Sequence, residues 1–295
     1  MRIVYHLGAI CTDEERLLRC LLKNRGMLAR QGIVVPGPAR YRSLLRETVI
    51  SLKGQPATRD TQALVLDQIM DEDQAERLIL SWDSFLSLPP WVLDGQLYPA
   101  AAERVRAFSQ IFPEIEAEFH LAIRNPATFL PALFIRQQVD KKRAKPYADF
   151  IAKVDMFQMR WSDVIADVLE MNPGVPLTIW CDEDTPLIWP EVLQAVSGHS
   201  SDTVLEDRDE LLTQIMSAEG LERMNAYLAG HPVTGPAQRR KVVSAFLDKF
   251  ALPDRIDMEV DLPGWTEDTV RSLSTAYDQD VARIAAMPGV TFLTP

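Results

Sequence analysis

Residues 2–30 read RIVYHLGAICTDEERLLRCLLKNRGMLAR, and the fold turns on this stretch. Residues 2–7 are rich in β-branched and aromatic side chains, as a short buried strand should be. Gly8-Ala9-Ile10-Cys11 makes a tight connection. Thr12-Asp13-Glu14-Glu15 then opens an amphipathic helix expected to run to about Arg30, with Leu17, Leu18, Leu21, Leu22 and Leu28 on one face. A strand that turns sharply into a helix aims backbone N–H groups at a phosphate. Here the turn carries three acidic side chains and no lysine. Thr12 and Glu15 have the spacing of a capping box, in which the Thr12 hydroxyl accepts from the N–H of Glu15 and the Glu15 carboxylate accepts from the N–H of Thr12. Asp13 and Glu14 would also favour the positive end of the helix dipole.

Outward from this unit, strand and helix patterns alternate. Ile33-Val34-Val35 stops at Pro36-Gly37-Pro38. Residues 78–82 (LILSW), 119–123 (FHLAI) and 177–181 (LTIWC) read as buried strands, and 290–293 as a short closing strand. Helical patterns fall at 41–52, 61–70, 100–111, 146–154 and 162–171. A further helix opens at Asn125-Pro126, since Asn caps and Pro suits the first helical position. Another opens at Asp184-Thr185-Pro186. The last third is mostly helical, over 208–228, 237–250 and 267–286. Such alternation implies an α/β fold, a mainly parallel sheet in three layers with helices on both faces. Its ligands bind beyond the carboxyl ends of the strands. Those ends are residues 8–12, Trp82-Asp83, Arg124-Asn125 and Asp182-Glu183-Asp184. The chain is expected to form one domain over 1–295, an α/β core to about 200 with a helical C-terminal part packed on it.

Composition narrows the class. With 295 residues, 47% hydrophobic and 25% charged, the chain can bury a full core and resembles an ordinary globular protein. A net charge of −11, from 42 acidic and 31 basic residues, argues against nucleic acid or an anionic membrane as partner. An anionic ligand would need a locally basic pocket. No apolar run is long enough to span a bilayer and no secretory leader is visible, so a cytoplasmic location is the expectation. Cys11, Cys20 and Cys181 form no CxxC or Cys/His pattern, so neither a disulfide framework nor a zinc site is indicated.

Taken together, the chain resembles the sulfotransferase branch of the P-loop fold. Bacterial members commonly open with a strand, His-[Ile/Leu]-Gly-x-His-Lys-Thr-Gly-Thr-Thr, then a helix leading to Asn-Arg-x-x-Leu-x-x-x-Gly-Ile. This sequence has His6-Leu7-Gly8-Ala9-Ile10-Cys11-Thr12-Asp13-Glu14-Glu15, with Asn24-Arg25, Leu28 and Gly32-Ile33 downstream. The second landmark, Arg-[Asp/Asn]-Pro after a strand, is matched by Arg124-Asn125-Pro126. The resemblance touches most of residues 1–200. It implies phosphoadenosine phosphosulfate as cofactor, held by Gly8, Ala9 and Thr12 at the turn and by Arg124 on the ribose phosphate. It also offers Asp83, where members often have Ser-Glu, as the acceptor-side base. The departures fall on the chemistry: Cys11 stands for the Lys, Asp13 for the Gly, Glu14 and Glu15 for the two Thr, and Ala132 for the Ser that partners the Arg.

Other residues carry two readings each. Arg124 is either a donor ligand or half of a structural ion pair. Cys11 is either a thiol activated at a helix N-terminus or a buried inert cysteine, and its acidic neighbours favour the second. His6 reads as a satisfied core histidine. Asp182-Glu183-Asp184 could act as base or bind a divalent cation, but cap-and-loop is the commoner meaning. Lys141–Lys145 could draw in an anion or form a solvated loop. Arg239-Arg240-Lys241 weakly resembles a donor-binding pair. Trp161, Trp180, Trp189 and Trp265 read as core. Two functions follow. The favoured one is a non-catalytic or altered-ligand relative that binds a small molecule or protein partner. The alternative is an active sulfotransferase acting on a hydroxyl or amine.

Overall fold

The structure is a computed structural model that describes residues 1–295 apart from 73, 140, 142, 143 and 257–259. Strand β1 (Arg2–His6) is followed by α1 (Arg16–Lys23), α2 (Arg25–Ala29) and β2 (Ile33–Val34). Helices α3 (Pro38–Leu52) and α4 (Arg59–Ile69) lead to β3 (Arg77–Ser81). A two-stranded hairpin, β4 (Leu93–Asp94) and β5 (Gln96–Leu97), and α5 (Ala101–Ser109) precede β6 (Glu116–Ile123). Then come α6 (Pro126–Gln138), α7 (Tyr147–Ile151), α8 (Trp161–Met171), β7 (Leu177–Cys181) and α9 (Thr185–Ser197). The C-terminal segment adds α10 (Glu210–Ile215), α11 (Ala218–Gly230), α12 (Pro236–Phe250), α13 (Pro253–Ile256) and α14 (Glu267–Ala285), and ends in β8 (Val290–Leu293).

Six of these strands form one sheet in the order β2-β3-β1-β6-β7-β8, every pairing parallel. The expected α/β class and parallel sheet are therefore present, and residues 290–293 do close the sheet beside β7. Alternation along β1 explains the layers. Ile3 and Tyr5 point into the larger core, with side chains from α3, α4, α5, α6, α8 and α14. Val4 points to the other face, against Leu17, Leu18 and Leu21 of α1 and Ile188, Trp189 and Val192 of α9. Each such fully buried aliphatic side chain contributes about 1.5–3 kcal/mol. Trp161, Trp180 and Trp189 lie in these cores as expected, and Trp265 packs partly buried against the first.

Long-range hydrogen bonds revise several local expectations. The helix expected over 12–30 breaks at Asn24, whose buried side chain bonds the Cys20 and Glu206 carbonyls and the Glu206 N–H. The helix expected over 208–228 is two, because Met216 bridges to Ala251 and Ser217 caps α11 through the Gly220 N–H. Helix α8 is capped from α14: buried Asp280 accepts from the N–H groups of Trp161 and Ser162 and from the Ser162 hydroxyl. Residues 210–250 of the C-terminal segment build a small separate cluster around Met216, Met224 and Val243. No helix among the described residues is long and apolar enough to cross a membrane.

One feature of the topology places the site. Neighbouring strands β1 and β6 send their following helices to opposite faces, α1 beside α9 and α6 into the larger core. Such a divergence opens a crevice at the carboxyl edge of the sheet.

Candidate functional site

A cleft of about 730 Å³ occupies that crevice. Gly8, Ala9, Thr12, Asp83 and Arg124, the residues singled out in the sequence, all line it. Gly8 adopts φ +52°, and a Cβ there would lie 3.3 Å from the Asp83 Cα. Glycine is therefore required where the β1 and β3 loops touch.

The loop above Gly8 is organised from within. Tyr98, buried beneath it, accepts the Ile10 N–H at 3.0 Å. The Thr12 hydroxyl donates to the Ala9 carbonyl at 2.7 Å, so the expected capping box does not form. Asp13 takes its place: one carboxylate oxygen accepts from the Glu15 N–H at 3.1 Å and the other from the Leu17 N–H at 3.0 Å. The reason is conformational. Cys11, Glu14 and Glu15 all have left-handed backbones (φ 67°, 49° and 64°), which turns Glu15 away from Thr12 and starts α1 at Arg16. Positive φ is uncommon for non-glycine residues, and three within five positions is concentrated strain of the kind found at binding loops. Glu15 pairs instead with Arg42 at 2.6 Å, and Glu14 with Arg16 at 3.0 Å.

Arg124 stands at the end of β6. Its guanidinium donates to the Cys11 carbonyl at 2.5 Å and to the Thr128 hydroxyl at 3.0 Å, tying the β1 loop to α6. Its own carbonyl accepts from the Trp161 indole. Among the described residues it pairs with no carboxylate, and through Nε and Nη1 it braces the loop. Asn125 caps α6 through the Ala127 N–H, with Pro126 at the first helical position, as expected. Ala132 lines the cleft on the next turns of α6. The Cys11 thiol is half-buried, and burial pushes its pKa up to about 11 despite nearby Arg124 and Arg136, so it stays protonated.

The acidic segment after β7 behaves as a strut. Glu183 accepts from the Asn125 N–H at 2.7 Å and from the Tyr277 hydroxyl at 3.2 Å, joining β6 to α14. Asp182 is pushed up to about 7, chiefly by burial, with Glu183 and Asp13 adding to the shift and Arg124 and Arg16 opposing it. Asp184 occupies the cap position of α9 without bonding through its side chain. Among the described residues no group of three or more His, Cys, Asp or Glu side chains could hold a metal ion. Arg239 and Arg240 are bound to Asp209 and Glu191, away from the cleft. Of the basic run at 141–145, Lys142 and Arg143 lie outside the described residues.

The floor holds a surprise for the sequence reading. His6, only 2% exposed, bonds Ser81 through Nδ1 at 2.8 Å, but its Nε2 has no partner. It is not a satisfied core histidine. Burial lowers its pKa, so the ring is neutral. Asp83, half-buried, accepts only the Ser84 hydroxyl at 3.0 Å. Sequence reasoning also missed Ser81, Arg42 and Arg136, all of which reach the cleft. It missed the apolar wall as well: Ile135 on α6 and Val139 just past its end, 61% and 76% exposed, line the cleft. Their spacing from Ala132 was the available signal, since three apolar residues at helical intervals make a stripe.

No protein-family model, no curated protein and no solved structure matches the chain.

Proposed function

We propose that the chain is a sulfotransferase-like relative of the P-loop fold whose cleft takes a ligand other than phosphoadenosine phosphosulfate and performs no sulfuryl transfer. One observation carries this reading: the Asp13 carboxylate already occupies the N–H groups of Glu15 and Leu17, where a donor phosphate would sit. A phosphate oxygen brought to about 4 Å from that carboxylate meets repulsion of order 4 kcal/mol per charge pair at a surface-like dielectric. Charge-assisted hydrogen bonds of about 1.5–3 kcal/mol each do not offset two such pairs. The supporting observations agree. Cys11 in place of lysine is neutral, and Arg124 gives Nε and Nη1 to bracing the loop. Asp83 remains at the cleft as a ligand-binding carboxylate in this reading, where the alternative would make it the base.

The test is calorimetric titration of the intact protein with phosphoadenosine phosphate, the product of the donor. No saturable heat is expected up to millimolar nucleotide. A dissociation constant below about 100 μM, roughly −5.5 kcal/mol, would return the chain to the active sulfotransferases.

A further inference from the structure

The cleft combines three features that no single structural role accounts for. The first is the orphaned Nε2 of His6 at the floor, on a ring 2% exposed. The second is a pair of carboxylates without a cationic partner among the described residues. Glu14 and Glu15 are neutralised by Arg16 and Arg42, but Asp13 meets only backbone N–H groups and Asp83 only a serine hydroxyl. Both aspartates line the same cleft as His6. The third is the exposed apolar wall of Ile135 and Val139.

We infer that this cleft binds a primary amine carrying an apolar chain, with the ammonium at His6, Asp13 and Asp83 and the chain along Ile135 and Val139. The inference rests on the altered-ligand reading above. An ammonium group presents three donors and no acceptor. In the tautomer whose Nδ1–H donates to the Ser81 hydroxyl, the neutral Nε2 is an acceptor, and with the two carboxylates it makes three. A bare metal ion would need those atoms near 2.0–2.2 Å from one centre, and the described residues offer no such set. An ammonium bridges a wider ring, at hydrogen-bond distances of about 2.8 Å. The chain then covers apolar surface that is otherwise left to water, at about 25 cal/mol per Å². The cleft is also of the size that takes a small organic molecule. Of the three arginines that line it, Arg42 is engaged with Glu15 and the Ser81 carbonyl, Arg124 with Cys11 and Thr128, and Arg136 stands exposed beside Ile135.

The experiment is calorimetric titration of the whole chain with n-hexylamine, hexanoate, hexanol and phosphoadenosine phosphate in parallel. Hexylamine should bind saturably with one site, and at least tenfold more tightly than hexanol or hexanoate. Asp83→Asn should weaken it tenfold or more. Ile135→Lys, at an exposed position that leaves the fold intact, should weaken it similarly by setting a like charge beside the ligand. Absence of hexylamine binding, an equal affinity for hexanol, or a preference for hexanoate overturns the inference and leaves the altered-ligand reading standing. Binding of the nucleotide overturns both.

Discussion

The sheet carries one polar stripe on its α9 face, and its two ends differ in how their carboxylates are paired. At the amino ends of the strands, both oxygens of Glu118 are occupied. One accepts from Arg77 and His120 at 2.9 and 2.7 Å, the other from Arg77 and Arg2 at 3.2 Å each. At the carboxyl end, two register positions further along β1, His6 lines the cleft with its buried Nε2 unpartnered, and Asp83 and Asp13 lack a cationic partner among the described residues. Where every carboxylate oxygen has a donor, polar groups hold the fold. Where polar groups converge on a cleft unpartnered, they are available to a ligand. The same residue types therefore mean different things about 7 Å apart, two strand residues at about 3.3 Å each.

The largest effect expected from this contrast is at the paired end. Burial pushes the Glu118 carboxyl up, but hydrogen bonds from His120 and Arg77 outweigh it and hold the pKa at about 2. A depressed carboxyl stabilises the fold above its unfolded value, near 4.5, and loses that contribution as pH falls toward 2. Glu118→Gln should cost about 3 kcal/mol at pH 7, because Arg77 keeps a largely buried charge without its partner. In urea denaturation the variant should also lack the part of the acid destabilisation that the natural protein shows between about pH 5 and 2. An unchanged urea midpoint at pH 7 would mean that the paired end is not structural.

Next comes the α8 cap. Asp280→Ala removes an acceptor of three hydrogen bonds at a buried helix start and should lower stability by about 2 kcal/mol. Restoration by Asp280→Asn should be partial, since the amide accepts through one oxygen only.

Asp182 brings the open end into view with the opposite sign. Its folded pKa, about 7, lies above the ordinary aspartate value, so the folded state binds the extra proton. That contribution is complete below about pH 4 and is lost as pH rises through 7. Asp182→Asn should therefore stabilise the protein at pH 8, by about 1–2 kcal/mol after allowance for partial solvent access, and do nothing at pH 4. Equal effects at both pH values would refute the assignment.

The smallest effect concerns loop strain. Glu14→Gly replaces a left-handed glutamate with a residue that adopts φ 49° freely, at the loss of one surface ion pair. A gain of about 0.5–1 kcal/mol is expected from the thermal midpoint.

How far the sequence could reach follows from the range of the interactions involved. The strands at 2–6, 177–181 and 290–293 and the Asn125-Pro126 helix start depend on local pattern, and they stand where local pattern places them. Gly8, Ala9, Thr12, Asp83 and Arg124 come together because parallel strands deliver their ends to one edge. What local pattern could not disclose is who bonds whom across the fold. Asp280 caps a helix 119 residues away, and Asn24 breaks a helix to hold a loop 182 residues away. The Thr12–Glu15 spacing misled for a related reason: a capping box needs right-handed geometry, and two left-handed glutamates are invisible in a string of letters. His6 looked like core because it is core by exposure. Its place at the cleft, with Nε2 unpartnered, is what the structure adds.

The central claim is that a side chain of the protein fills the anion seat at the start of α1. A high-resolution crystal structure grown from ammonium sulfate tests it directly. The expected density shows the Asp13 carboxylate on the N–H groups of Glu15 and Leu17, with sulfate excluded from that turn. Sulfate bound to those N–H groups, with Asp13 swung into solvent, would contradict it.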